Sequence, residues 1–184
     1  WMKGVKAGNI AVAGNIVVVG GGNTAMDAAR LAKRSGAESV TLVYRRTRKY
    51  MPADEHELAL ALADGVTFAE LAAPVKQADG VLKCEKMVLG EADASGRRSP
   101  VGSGEFFTVP CDLVISAVGE QVDDALMAAN GIELGKKGRP AFQTNVDGVY
   151  AAGDAKRGPA TVVEGIADAA AFAEAVIGKP YTYD

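Results

Sequence analysis

Three small residues at fixed spacing carry the first chemical signal. Gly20, Gly22 and Ala25 fit G-x-G-x-x-G/A directly after the apolar run Val17-Val18-Val19. The first small residue of that pattern permits a tight turn, and the second lets a pyrophosphate approach the backbone. The third lets the following helix lie close to the strand. Gly21, Asn23 and Thr24 fill the turn, where a helix start would offer N–H groups and its positive dipole end to a phosphate. Such a turn holds a dinucleotide; a tight strand-to-helix turn without a ligand is the alternative. A second signal follows the next strand. Arg45-Arg46-Thr47-Arg48-Lys49 stands where a cofactor with a free 2′-hydroxyl normally meets an acid. Guanidinium groups bind phosphate through paired N–H bonds, so Arg45 and Arg46 favour NADP(H) over NAD(H). A solvated basic loop is the alternative.

Two further places have cofactor chemistry. Gly119 closes the apolar run 112–119, at the carboxyl end of an expected strand where ligands of open α/β sheets gather. Gly153-Asp154 closes a turn and strand read over 144–154. An acid such as Asp154 can hydrogen-bond a sugar or ribitol hydroxyl, or merely cap a loop. The helix beginning at Thr161 and Val162 can stabilise partial negative charge on a ring carbonyl. No catalytic side chain and no metal ligand is nominated. His56 is the only histidine, which disfavours a histidine-based metal site or triad within the chain. Cys84 and Cys111 are the only cysteines and lack paired spacing, so they form no C-x-x-C centre or four-cysteine cluster. They read as buried thiols in a reducing compartment, the cytoplasm.

The elements that position these residues follow from periodicity and turn chemistry. Residues 1–14 read as a linker. A buried strand, the glycine turn and a helix over 24–35 follow. Gly36 sits at the C′ position of that helix, with Lys33 and Arg34 in the last turn. Residues 39–44 form the next strand, completing a βαβ unit of ~30 residues. Asp54 and Glu57 stand as a D-x-x-E capping box for another helix, with Leu58, Leu60, Ala61 and Leu62 on its apolar side. His56 has a structural role there, and Gly65 stops the helix before a strand at 66–68. Strand-like pieces at 81–89 and 105–109 flank a glycine- and serine-rich loop over 92–104, with an exposed hairpin tip at 94–99. They read as an antiparallel meander over a parallel sheet.

At 184 residues the chain has room for one domain or one and a half. A net charge of −3 leaves no basic excess to recruit nucleic acid or a membrane surface. No apolar run reaches the ~18 residues of a membrane span. The most hydrophobic tail, 161–178, is interrupted by Glu164, Asp168 and Glu174.

Taken together, these segments resemble the NADPH-dependent oxidoreductases like the glutamate synthase small subunit. That group includes related parts of dihydropyrimidine dehydrogenase and proteins assigned as selenate reductases. The likeness rests on residues 17–27, Tyr44-Arg45-Arg46 with Met51-Pro52, 112–119, 148–154 and Thr161-Val162-Val163. The resemblance implies an α/β fold: a Rossmann-like three-layer nucleotide-binding domain with a parallel sheet and an antiparallel meander, plus the C-terminal part of an FAD-binding domain. It implies an NADP(H)-binding domain over 15–119 and an FAD-domain segment over 120–184. Gly20, Gly22, Asn23, Thr24 and Ala25 would hold the NADPH pyrophosphate, with Arg45 and Arg46 at its adenosine end. Gly153 and Asp154 would approach the flavin ribitol and phosphate, and amides near Val162 its pyrimidine carbonyl. Complete members carry an upstream FAD-binding glycine fingerprint, often preceded by iron–sulfur cysteines. A chain that opens on Trp1 without either reads as a piece of a longer polypeptide, whose partner is that N-terminal FAD/iron–sulfur region or subunit. The expected activity is passage of hydride between NADPH and FAD, with electrons moving on to a further acceptor. A non-catalytic NADP(H)-binding or partner-docking module is the alternative. A two-cysteine disulfide reductase is disfavoured by the absent cysteine pair.

Overall fold

A computed structural model describes residues 1–92, 96, 98–135 and 137–178. Its organising strand is β1 (Asn15–Val19), whose four β-branched residues favour extended backbone. β1 pairs in parallel with β2 (Ser39–Tyr44) on one side and β7 (Leu113–Ser116) on the other. β3 (Thr67–Glu70) joins beyond β2, giving the order β3-β2-β1-β7. Successive side chains of a strand point to opposite faces, so β1 serves two cores. Ile16 and Val18 pack with Val40 and Leu42 against the helical layer. Val17, Val19 and Val43 pack against a second, antiparallel sheet.

The helical layer is α2 (Asn23–Arg34) and α3 (Glu55–Ala63). Ala25, Ala28, Ala29 and Ala32 are fully buried, and their small size lets α2 lie close on the sheet. α2 begins and ends one residue earlier than expected, with Ser35 as its C-cap and Gly36 at the expected C′ position. Gly36 N–H donates to Lys33 O and Ala37 N–H to Ala32 O, a Schellman closure around Gly36 at φ +109. The antiparallel sheet consists of β4 (Ala72–Ala78), β5 (Val81–Ala92) and β6 (Arg98–Pro110), in that order. It contributes Ala72, Leu82 and Cys84 to the second core, joined by Cys111 just after β6. Helices, parallel sheet and meander are thus three layers, the expected architecture.

Several local expectations are corrected. Part of the segment read as a linker is helical, α1 (Met2–Lys6), and Trp1, Met2 and Val12 pack against the helical-layer core. Asp54 caps α3 by accepting from His56 N–H at 2.8 Å, but Glu57 does not complete the box. Its carboxylate instead meets Arg30 at 3.3 Å, an ion pair between α2 and α3 that the local sequence does not encode. Leu58 and Ala61 are buried, whereas Leu62 is exposed. Most of the stretch read as a loop over 92–104 belongs to β6, because Val88 pairs with Val101 and Leu89 with Pro100 across a bulged ribbon. The expected hairpin tip lies partly outside the described residues, at 94, 95 and 97.

The chain divides into two compact units, Trp1–Val118 and Gly119–Asp184. In the second, α4 (Asp124–Ala129) is capped by Asp123, and a short α5 (Asp154–Arg157) precedes α6 (Val162–Ile177). The strand expected over 144–154 reduces to an isolated Gln143–Tyr150 bridge. A strand of that kind needs a sheet neighbour, and the described residues supply none. The Tyr150 ring is instead held edge-on by Phe142 and Phe172.

Candidate nucleotide-binding site

The three turn glycines are glycine for three different reasons. Gly20 has φ +151, and a Cβ there would run into the Ala117 carbonyl oxygen at the end of β7. Its N–H donates to Val43 O, which ties the turn to β2. A Cβ on Gly21 would enter the Tyr44 ring. A Cβ on Gly22 would meet no protein atom within 4 Å, so this position is open on the side a phosphate would approach. Gly22 is also the N-cap of α2 and brings no capping side chain, which leaves first-turn amides at Asn23 and Thr24 for a ligand. Both of those side chains are exposed, while Ala25 is completely buried as the close-packing residue.

Asn23 has a second duty that the motif does not reveal. Its Oδ1 accepts from Asp54 N–H at 3.1 Å, and Gly21 O accepts from Ala53 N–H at 3.0 Å. These bonds staple the loop before α3 to the glycine turn. Tyr44 adds a third tie. Its ring lies against Gly21, and its hydroxyl donates to Tyr50 O at 2.7 Å, closing the basic loop on itself. The aromatic residue ending a strand beside a glycine turn is the one signal that could have marked it in sequence.

Within the basic loop the two arginines differ. Arg45 is exposed, whereas Arg46 is 9% exposed and its Nε is buried without a protein acceptor. A buried guanidinium nitrogen without a partner is costly, and such groups call for a ligand or ion. Arg48 is already engaged, pairing with Glu55 at 3.0 Å while its N–H donates to Glu70. Next to this loop lies a concavity of about 420 Å³, lined by Arg48, Lys49, Met51, Ala53, Asp54, Glu55 and Leu58. An uncapped helix start, an open glycine and an orphaned buried arginine together fit the phosphates of a dinucleotide.

Gly119, at φ +100, falls in the second unit, as do Gly153, Asp154, Thr161 and Val162. Gly153 has φ +59 and ψ −142, and the Asp154 carboxylate is exposed with no protein donor among the described residues. The Thr161 side chain is not free: its hydroxyl oxygen accepts from Glu164 N–H while the Glu164 carboxylate accepts from Thr161 N–H, a reciprocal capping box, and the Thr161 hydroxyl also donates to that carboxylate. The amides of Val162 and Val163, between the two residues of that box, are the donors left at this helix start. A free carboxylate and two open amides fit the hydroxyl and carbonyl groups of a flavin. Sequence reading passed over Asp168, treated only as an interruption of an apolar tail. It is 2% exposed and gathers Gly153, Lys156 and Arg157. An isolated acid among alanines, twelve residues after a Lys-Arg pair begins, was the available signal. Cys84 and Cys111 are free and buried, and burial pushes both thiols up. Among the described residues no cluster could hold a metal, and no helix is long and apolar enough to cross a membrane.

Fold and turn together define an α/β nucleotide-binding protein of the Rossmann type. The chain belongs to the pyridine nucleotide-disulphide oxidoreductase family, whose pattern matches residues 3–169. The expected likeness to the glutamate synthase group is borne out. The chain is 42% identical over 189 residues to the glutamate synthase [NADPH] small chain of Azospirillum brasilense, covering 95% of this chain and 39% of that protein. It is 44% identical over 163 residues to the NADP(+)-dependent formate dehydrogenase subunit beta of Moorella thermoacetica, covering 83% of this chain and 23% of that subunit. The chain thus spans less than half the length of these curated relatives. In fold it is similar to Lactococcus lactis thioredoxin reductase, with a TM-score of 0.70 at 22% identity, covering 95% of this chain and 55% of the reductase.

Proposed function

We propose that this chain is the NADPH-binding portion of a flavin-dependent oxidoreductase, with 15–119 as the NADP(H) domain and 120–184 as a segment of the FAD domain. The observation that carries the reading is Arg46, buried with an unpartnered Nε in the loop after β2. When bound, NADPH supplies a hydride and FAD takes it up, so the demanding chemistry is the cofactors' own. The residues of this chain bind and orient. The Gly22, Asn23 and Thr24 amides take the pyrophosphate, Ala25 keeps α2 close, and Arg45 and Arg46 take the 2′-phosphate. Gly119, beyond the carboxyl end of β7, serves the nucleotide side, while Gly153, Asp154, Thr161 and Val162 serve the flavin side, Thr161 by fixing the helix start. No side chain here need move a proton. The names of the relatives, which carry NADPH or NADP(+), support the choice of nucleotide. The remaining partner is the FAD/iron–sulfur region of the longer protein. Two unpaired buried thiols support a cytoplasmic location.

The test is equilibrium titration with NADPH and NADH, before and after Arg45→Ala and Arg46→Ala. A hydrogen bond to a charged group contributes about 1.5–3 kcal/mol, so Arg46→Ala should weaken NADPH about tenfold or more and leave NADH unchanged. Equal affinities for the two nucleotides throughout would refute the 2′-phosphate assignment.

A further inference from the structure

Asp168 is a carboxylate buried in the middle of α6, flanked by Ala167, Ala169 and Ala170. Burying a carboxylate is unfavourable unless donors satisfy it. Asp168 finds its donors in a single short segment, 153–157. Gly153 N–H donates to Oδ2 at 2.9 Å, Lys156 Nζ to Oδ1 at 3.2 Å, and Arg157 Nε to Oδ2 at 2.8 Å. The terminal guanidinium nitrogen of Arg157 also reaches Oδ1, completing a two-pronged contact.

That segment cannot hold its own shape. Gly153 occupies a positive-φ conformation, and α5 is a single helical turn of four residues, too short to persist unaided. Its first residue is Asp154, whose carboxylate is exposed and finds no partner among the described residues. Arg157 also touches Glu164 at 3.4 Å, the acid of the α6 capping box. Asp168 therefore ties the Gly-Asp turn to the body of α6, while Arg157 reaches from the same segment to Glu164 in the first turn.

We propose that Asp168 is a positioning residue for flavin binding. From beneath the turn it holds Gly153 and α5 so that the Asp154 carboxylate is presented to a ribitol hydroxyl. This rests on the reading of residues 153–154 as a flavin-facing turn. On that reading Asp168 touches no ligand and acts only through its neighbours.

The experiment uses the full-length protein containing this chain, stripped of flavin and titrated with FAD by fluorescence quenching. The variants are Asp154→Ala, Asp168→Asn and the two combined, with Arg157→Lys as a gentler break of the same clamp should Asp168→Asn fail to fold. Asp168→Asn is expected to weaken FAD binding at least tenfold and alter the shape of the visible flavin band, while NADPH affinity stays within twofold. Arg157→Lys should weaken FAD at least threefold. In the double variant, adding Asp168→Asn to Asp154→Ala should weaken FAD less than threefold further, because the first change has removed the group the second positions. FAD affinity within twofold of the unmodified protein in Asp168→Asn or Arg157→Lys would overturn the proposal. So would fully multiplicative losses in the double variant, the behaviour of an ion cluster that only stabilises the fold. If Asp154→Ala itself leaves FAD affinity unchanged, the flavin-turn reading falls and the proposal with it. A loss at Asp154 without one at Asp168 sinks the positioning role alone.

Discussion

Gly21→Ala and Gly22→Ala, adjacent changes of one methyl group, should have opposite consequences. At Gly21 the new methyl lands on the Tyr44 ring, which is 8% exposed and anchored through its hydroxyl to Tyr50 O. Forcing an extra methyl into a packed site costs about 1–3 kcal/mol. Releasing the ring instead forfeits the Tyr44–Tyr50 bond, worth about 1 kcal/mol. Either route lowers the melting temperature by several degrees. At Gly22 the methyl meets nothing within 4 Å, and φ is an ordinary −96. Alanine is a poorer N-cap than glycine, but it also lowers unfolded-state entropy by about 0.4–1 kcal/mol. These effects oppose each other, so the unfolding free energy should change by less than about 1 kcal/mol. The methyl would, however, occupy the approach of the pyrophosphate and weaken NADPH. The assay is thermal unfolding with and without NADPH, paired with an NADPH titration. Equal destabilisation by both changes, or unaltered NADPH affinity in Gly22→Ala, would refute the division between a packing glycine and a ligand glycine.

Other perturbations probe the frame. Asp54→Ala removes the α3 cap and should cost about 0.5–2 kcal/mol in denaturant unfolding. Glu57→Ala loses only a partly exposed ion pair and should cost less than about 1 kcal/mol; a reversal of that order would restore the capping box. Leu58→Ala, at 2% exposure between α3 and the sheet, should cost about 2–5 kcal/mol. The Arg34 guanidinium, with Arg30 beside it, holds the Asp64 carboxyl below its usual range. Because the folded value lies below the unfolded one, the stabilisation is complete above ~3.9 and is lost as pH falls through the folded value. Melting temperature measured from pH 6 down to 2 should therefore fall less steeply in Asp64→Asn than in the unmodified protein; identical slopes would count against it.

How far each feature was legible follows from the range of the interaction behind it. The β1 run, the glycine turn, the Gly36 closure and the Asp54 cap were readable because each is set by backbone preferences within a few residues. The same locality explains the errors. Glu57 sits at the right spacing for a capping box, but Arg30, 27 positions earlier, competes for its carboxylate. Residues 98–104 look like a loop until β5 supplies cross-strand partners. The strand read over 144–154 has the right residues and lacks a neighbour to pair with.

By itself the sequence determined the chemistry on offer: an open-backbone phosphate turn, a cluster of guanidiniums after the second strand, and a Gly-Asp end before a capped helix. Those are properties of residue type and short spacing. Tertiary structure alone decided which members are exposed and which are enclosed. It buried Arg46 and left Arg45 in solvent, and it assigned the oxygen of Asn23 to Asp54. It set Tyr44 against Gly21, and it made Asp168 the hidden anchor of the Gly153 turn. Burial and long-range hydrogen bonding depend on what the rest of the chain brings to a side chain, and no local pattern carries that information.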